Sequence, residues 1–132
     1  MSFLTVAAVI VGGFIALVIG MQLYVRYKAS ALKGRPVPPL GGKAGKLTQK
    51  GRPALFYFYS PSCGACASMT PAINALSKTN EGVFPVDISK DMDTARKFGI
   101  MATPTVVVVR DRVIQEILLG PQPAAALTGR LA

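Results

Sequence analysis

The stretch Tyr57-Phe58-Tyr59-Ser60-Pro61-Ser62-Cys63-Gly64-Ala65-Cys66-Ala67-Ser68-Met69-Thr70-Pro71 decides how the chain is read. Ahead of it, Ala54-Leu55-Phe56 runs into Tyr57-Phe58-Tyr59, and an unbroken apolar and aromatic run of this length predicts a buried strand. Ser60-Pro61 breaks the run. Cys63-Gly64-Ala65-Cys66 then opens a predicted helix over residues 63–79, kinked at Pro71 because proline removes one backbone bond and clashes with the preceding turn. Two cysteines three apart on a first helical turn bring their sulfurs within disulfide reach. The free N–H groups and the dipole of a helix start favour a thiolate on the first of them. Cys63 is the candidate nucleophile. Cys66, one turn further in, is the candidate resolving thiol that attacks a mixed disulfide.

Composition narrows the chemistry. The chain contains no histidine, which removes His-based general base catalysis, Ser-His and Cys-His pairs and most zinc-enzyme sites. Its two cysteines cannot form a disulfide framework, so the pair is redox-active, a metal clip or incidental. As a metal clip it suits Cu(I), and it leaves a tetrahedral zinc site short of ligands. The net charge of +9 is unevenly placed: Arg26, Lys28, Lys33, Arg35, Lys43, Lys46, Lys50 and Arg52 give +8 to residues 26–52, which contain no acid. From Pro53 onward seven basic residues meet six acids, leaving +1. Basic and aromatic residues are not interleaved on a folded segment, so nucleic acid is not an expected partner.

Residues 1–25 carry no charged side chain, and Phe3 to Val25 is long enough to cross a hydrocarbon core of about 30 Å at about 1.5 Å per residue. Residues 1–27 therefore read as a single-pass transmembrane anchor, with Tyr24 and Tyr27 at its interfacial end. The alternative is a cleaved signal peptide with Ala29-Ser30-Ala31 at the cleavage site, but residues 1–5 lack the basic n-region such a peptide needs. All flanking basic residues lie after the span, so the positive-inside rule places the C-terminal part on the cytoplasmic side of the inner membrane. Ala8, Gly12, Ala16 and Gly20 recur every four residues and form a small-residue stripe, a candidate packing face for a transmembrane partner helix. Residues 28–52, rich in proline, glycine and basic side chains, read as a linker without stable helix whose lysines and arginines suit an anionic lipid surface.

Beyond residue 53 the pattern predicts a single domain to residue 132. Val83 to Ile88 reads as a second strand, parallel to the first through a right-handed crossover. Asp91 to Phe98 reads as a short helix with acids first and bases last, stopped at Gly99. Thr105 to Val109 is a buried strand, Asp111-Arg112 a turn, Val113 to Leu119 an antiparallel edge strand, and Pro123 the start of a final helix. The order is βαβαββα, an α/β fold on a mixed four-stranded sheet.

These motifs resemble the thioredoxin superfamily: a hydrophobic strand, C-G-x-C, and a proline five residues after the second cysteine, here Pro71. Thr103-Pro104-Thr105 is similar to the family's cis-proline loop, and Gly120 falls where the family often has glycine. The resemblance covers residues 53–132 and implies a minimal thioredoxin fold, without the family's usual leading strand and helix unless Lys46 to Lys50 contributes a turn of it. It implies catalysis by Cys63 and Cys66, with Gly64, Ala65 and Pro71 shaping the site. A cis Thr103–Pro104 bond would leave the Thr103 backbone free to pair with an extended substrate, beside an apolar rim of Ile100 and Met101 with Phe98 either in that rim or in the core. No cofactor beyond the Cys63–Cys66 disulfide and no metal is implied. The sequence departs from the family where a buried acid falls at Tyr57, a tryptophan at Ser62, a lysine near Pro85, and Gly-Pro at Gly64-Ala65. Tyr57 and Tyr59 read as core aromatics. Many membrane-tethered members of the superfamily work outside the inner membrane, so the resemblance offers the periplasmic side as the alternative to the cytoplasmic placement that the charge rule gives.

Two functions follow as expectations. The first is a membrane-tethered thiol-disulfide oxidoreductase that mainly reduces protein disulfides. The second is an accessory single-pass subunit of a membrane complex with a structural or regulatory thioredoxin-like domain.

Overall fold

The computed structural model describes residues 2–131, which divide into a long helix and a compact unit that begins at Leu32. Helix α1 (Phe3–Ala31) is 29 residues long, about 43 Å at the α-helical rise. Large apolar side chains project from it on all sides, Ile10, Phe14, Ile15 and Leu17 among them. It is long and apolar enough to cross a membrane, and the same properties fit a signal sequence. Ala8, Gly12, Ala16 and Gly20 lie in one helical row, and a Cβ added at Gly12 or Gly20 would meet nothing within 4 Å.

The compact unit carries a sheet of four strands, β1 (Ala54–Tyr59), β2 (Val83–Asp87), β3 (Thr105–Arg110) and β4 (Val113–Leu119), in the order β2-β1-β3-β4. β2 runs parallel to β1, whereas β3 and β4 are antiparallel to their neighbours. Side chains alternate across this sheet. Ala54, Phe56 and Phe58 pack with Val107, Val109, Ala95, Phe98 and Ile114 on one face. Leu55 and Tyr57 pack with Val106, Val108, Ile73, Met69 and Leu127 on the other. With both faces covered, β1 and β3 are apolar runs and not alternating ones. β2 is an edge strand and so tolerates Pro85, which has no N–H to donate.

The helices of this unit are α2 (Gly42–Gln49), α3 (Thr70–Thr79), α4 (Met92–Lys97) and α5 (Ala124–Thr128), with 3₁₀ turns at Ala65–Ser68 and Gly129–Leu131. The strands and helices expected after residue 53 are thus present in the expected order. Two expectations are corrected. Residues 28–52 are not free of helix: α1 runs on to Ala31, and α2 buries Leu47 and Thr48. Gly34 N–H donates to the Ile114 carbonyl at 2.7 Å, and Val37 N–H to the Arg112 carbonyl at 2.9 Å, so residues 34–37 lie along β4. The gain from burial and pairing outweighs the low helix propensity of glycine. Residues 63–79 do not form one kinked helix. The chain makes a 3₁₀ turn, and α3 then starts at Thr70 with Pro71 in its first turn, where the missing N–H costs nothing.

Candidate active site

Strand register gathers the expected site residues at one end of the sheet. Phe58 of β1 lies opposite Thr105 of β3, so the segment leaving β1 through Cys63 and the segment entering β3 through Thr103-Pro104 share that end. The Thr103–Pro104 peptide is cis, as the resemblance implies. Gly120 N–H donates to the Pro104 carbonyl at 3.0 Å and ties the chain after β4 to the same loop. Pro104 is buried, Thr103 half-buried and Met101 57% exposed. Phe98 is no part of a rim: it is buried, its ring 4.9 Å from that of Phe56.

Cys63 and Cys66 form a disulfide with their Cα atoms 5.3 Å apart. Cys63 is half-buried on the turn before the 3₁₀ segment, whereas Cys66 within that segment is only 1% exposed. Cys66 N–H donates to Cys63 Sγ at 3.2 Å, and Cys63 N–H donates to the Ser60 carbonyl at 3.1 Å. A backbone donor aimed at the outer sulfur stabilises its anionic form over the thiol. Gly64 and Ala65, both exposed, hold the turn between the two sulfurs. Beside Cys63 the hydroxyls of Ser60 and Ser62 pair at 2.9 Å, giving a small polar lip.

Charge at this end of the sheet is confined to the segment after β2, where Asp87 pairs with Tyr59 in register and Lys90 and Asp91 follow. Residues 53–77, 98–109 and 117–129, which supply the dithiol turn, the Pro104 loop and the segment after β4, contain no Asp, Glu, Lys or Arg. A cleft of about 340 Å³ lies between the start of α3 and that last segment, lined by Met69, Ala72, Ile73, Pro121, Gln122 and Pro123. Its walls are joined by Gln122 N–H donating to Met69 Sδ at 3.3 Å. Among the described residues no group of three or more His, Cys, Asp or Glu side chains is placed to hold a metal ion.

One polar feature is absent from the sequence reading. Tyr57 is a core aromatic, stacked on Tyr59 with ring centroids 5.2 Å apart, yet its hydroxyl reaches the dithiol turn. It donates to the Cys66 carbonyl at 3.2 Å and lies 2.9 Å from Thr70 Oγ1. Burial pushes the Tyr57 phenol above its ordinary value, against the opposing hydrogen bond from Thr70. Thr70 itself carries a legible signal, a hydroxyl four residues after Cys66 and hence one helical turn away.

The thioredoxin family model matches residues 44–132. The chain belongs to the thioredoxin family. Thioredoxin from Bacillus subtilis is 30% identical over 73 residues, covering 53% of this chain and 70% of that protein. Thioredoxin Y2 of Arabidopsis thaliana chloroplasts is 32% identical over 88 residues, covering 64% of this chain and 53% of the plant protein. The chain thus spans about half the length of this plant relative. Among solved structures, Fasciola hepatica thioredoxin superposes with a TM-score of 0.54 at 27% identity, covering 65% of this chain and 86% of the other. A thioredoxin of Nicotiana alata gives 0.54 at 26% identity, covering 65% and 76%. The family match begins inside α2, ahead of the boundary expected at residue 53. With its disulfide-forming cysteine pair, the chain is a thioredoxin-like redox protein, and its relatives place it in general terms among thiol-disulfide oxidoreductases.

Proposed function

We propose that this thioredoxin-family chain is a membrane-tethered thiol-disulfide oxidoreductase that mainly reduces protein disulfides. The observation that carries the reading is the asymmetry of the pair: Cys63 half-buried with a backbone N–H on its sulfur, and Cys66 buried one turn behind it. In the reduced form the Cys63 thiolate attacks a substrate disulfide, forming a mixed disulfide and releasing one substrate thiolate. Cys66, its proton passed to solvent, then attacks Cys63 Sγ, which closes the Cys63–Cys66 disulfide and releases the second substrate thiolate. Two electrons pass to the substrate. The two protons lost by the cysteines are balanced by protonation of the two substrate sulfurs.

Thr103, Pro104 and Met101 would receive the extended segment around the substrate cysteine, the backbone of Thr103 serving as the pairing edge. The uncharged segments that carry the dithiol and the Pro104 loop favour client segments without dense charge. α1 is the tether, its Ala8-Gly12-Ala16-Gly20 row offers a face to a partner helix, and the basic residues of 26–52 rest on anionic headgroups. The same positive charge favours a cytoplasmic dithiol, where a reducing compartment keeps the pair as thiols and makes it an electron donor.

The test is a Cys66→Ser trap in cells. The expected result is stable mixed disulfides between Cys63 and several client proteins, all lost when Cys63→Ser is added. Co-purification with one fixed assembly, indifferent to both cysteines, would replace this reading with that of an accessory subunit.

A further inference from the structure

The polar centre under the dithiol is made of hydroxyl groups. Tyr57 projects from β1 with no exposed surface, and its hydroxyl meets the Cys66 carbonyl oxygen at 3.2 Å and Thr70 Oγ1 at 2.9 Å. Thr70 donates to the same carbonyl at 2.8 Å, and Met69 N–H donates to it at 3.0 Å. Three donors therefore converge on one oxygen, the backbone carbonyl of the cysteine whose side chain is the buried half of the disulfide. A carbonyl has two lone pairs and each hydroxyl one proton, so Met69 N–H and one hydroxyl bond the carbonyl while the other hydroxyl donates to its neighbour's oxygen. Phenylalanine would fill the same space in the apolar cluster with Met69, Ile73, Val106 and Leu127. A buried hydroxyl costs free energy unless it is bonded, and here it is bonded to the redox turn.

Met69 and Thr70 are local to the turn, but Tyr57 is not: its bond crosses from the helix side to the sheet. It is a tertiary tie on a 3₁₀ segment whose own hydrogen bonds are of poorer geometry than those of an α-helix. We propose that Tyr57 and Thr70 are positioning residues of the dithiol, their paired hydroxyls fastening the Cys66 carbonyl to β1 and holding the buried sulfur where it closes onto Cys63. Disulfide closure is intramolecular, so its equilibrium depends on how narrowly the turn confines the two sulfurs. Loosening the carbonyl widens that range and disfavours the disulfide relative to the dithiol.

The inference rests on the dithiol reading of the site, but its test needs no client. Full-length chain in detergent is equilibrated with glutathione redox buffers, and the oxidised fraction is read for the parent, Tyr57→Phe, Thr70→Val and Thr70→Ser. Loss of one hydrogen bond is expected to lower the equilibrium constant for disulfide formation about three- to tenfold in Tyr57→Phe and in Thr70→Val, a rise of about 15–30 mV in reduction potential. Thr70→Ser, which keeps the hydroxyl, is expected to retain the parent value. The double variant Tyr57→Phe with Thr70→Val is expected to shift by less than the product of the two, because both act on one carbonyl. A purely structural role would lower the melting temperature and leave the potential alone. Parent potentials in both Tyr57→Phe and Thr70→Val, or an equal shift in Thr70→Ser and Thr70→Val, would overturn the inference. Should Tyr57→Phe fail to fold, the Val and Ser variants at the half-buried Thr70 decide it. Failure of the Cys66→Ser trap would leave these equilibria untouched, so the two readings fail separately.

Discussion

Cys63 and Cys66 sit three residues apart and live in different surroundings, one reachable from solvent and carrying a backbone donor, the other buried with the Tyr57 and Thr70 hydroxyls at its carbonyl. That difference predicts the order of modification. After reduction, a brief pulse of iodoacetamide at neutral pH is expected to alkylate Cys63 at least tenfold faster than Cys66, because thiolate fraction and access both favour the outer sulfur. Peptide mass spectrometry of the pulsed protein checks it, and equal labelling would contradict the assigned roles. Tyr57 supplies a second test at this scale. Burial is the leading cause of its raised pKa, so the folded state holds the phenol proton more tightly than the unfolded chain does. Its contribution to stability is therefore complete below the ordinary tyrosine value of 10.0 and is lost as pH climbs from there through the folded value. Urea unfolding between pH 8 and pH 11 is expected to show a larger loss in the parent than in Tyr57→Phe; parallel losses would mean that the phenol is not desolvated.

Single elements show where sequence reading succeeds. Thr105 to Val109 could be read as a buried strand because β-branched residues with no polar interruption fit a site covered on both faces, and Val106 to Val109 are buried. The helix over 91–98 was legible from its charge order, and Asp91 is indeed its cap: its carboxylate accepts from Thr94 N–H at 3.2 Å and Thr94 Oγ1 at 2.7 Å. Asp91→Ala is expected to cost about 1 kcal/mol at neutral pH in urea unfolding. The Thr94 hydrogen bonds hold the Asp91 carboxyl below its ordinary value of 3.8, so the gap between parent and variant should close as pH falls below that value. α2 was legible only as a turn over 46–50 suggested by the resemblance, because its glycines argue against helix and what favours it is tertiary. Gly45 is the clearest case: a Cβ there would collide with the Leu40 carbonyl, which no local pattern announces. In an isolated helix alanine at this site would stabilise by about 1 kcal/mol; here Gly45→Ala is expected to destabilise by about 1–3 kcal/mol, a reversal of sign read from the urea midpoint. At the dithiol the cysteine spacing and the proline loop were legible from motif. The hydroxyl tie was not, because a tyrosine in an apolar run reads as packing until its oxygen is placed against Cys66.

Over the whole chain the basic charge is concentrated away from the dithiol in sequence. The segments carrying the dithiol, the Pro104 loop and the chain after β4 have no charged side chain, and eight of the fifteen basic residues fall within 26–52. A cluster of basic residues just beyond an apolar helix and unaccompanied by acids is the arrangement that resists translocation, since short flanking segments set orientation by their Lys and Arg content. Arg26, Lys28, Lys33 and Arg35 lie within this reach of the proposed anchor. The compact unit starts at Leu32, directly after α1, so the proposed anchor would hold Cys63 on the side where these residues are retained. A membrane-impermeant maleimide applied to intact cells, after a permeant reductant has opened the disulfide, is therefore expected to leave Cys63 unlabelled, and lysis before labelling to expose it. Labelling without lysis would place the dithiol outside, where no glutathione pool keeps it reduced. The proposed reductase would then need a dedicated electron source on that side, or would work as an oxidant. Carbonate extraction completes the test. The full chain is expected to stay with the membrane pellet and a chain beginning at Leu32 to leave it; release of the full chain would remove the tether from the account while leaving the cysteine chemistry in place.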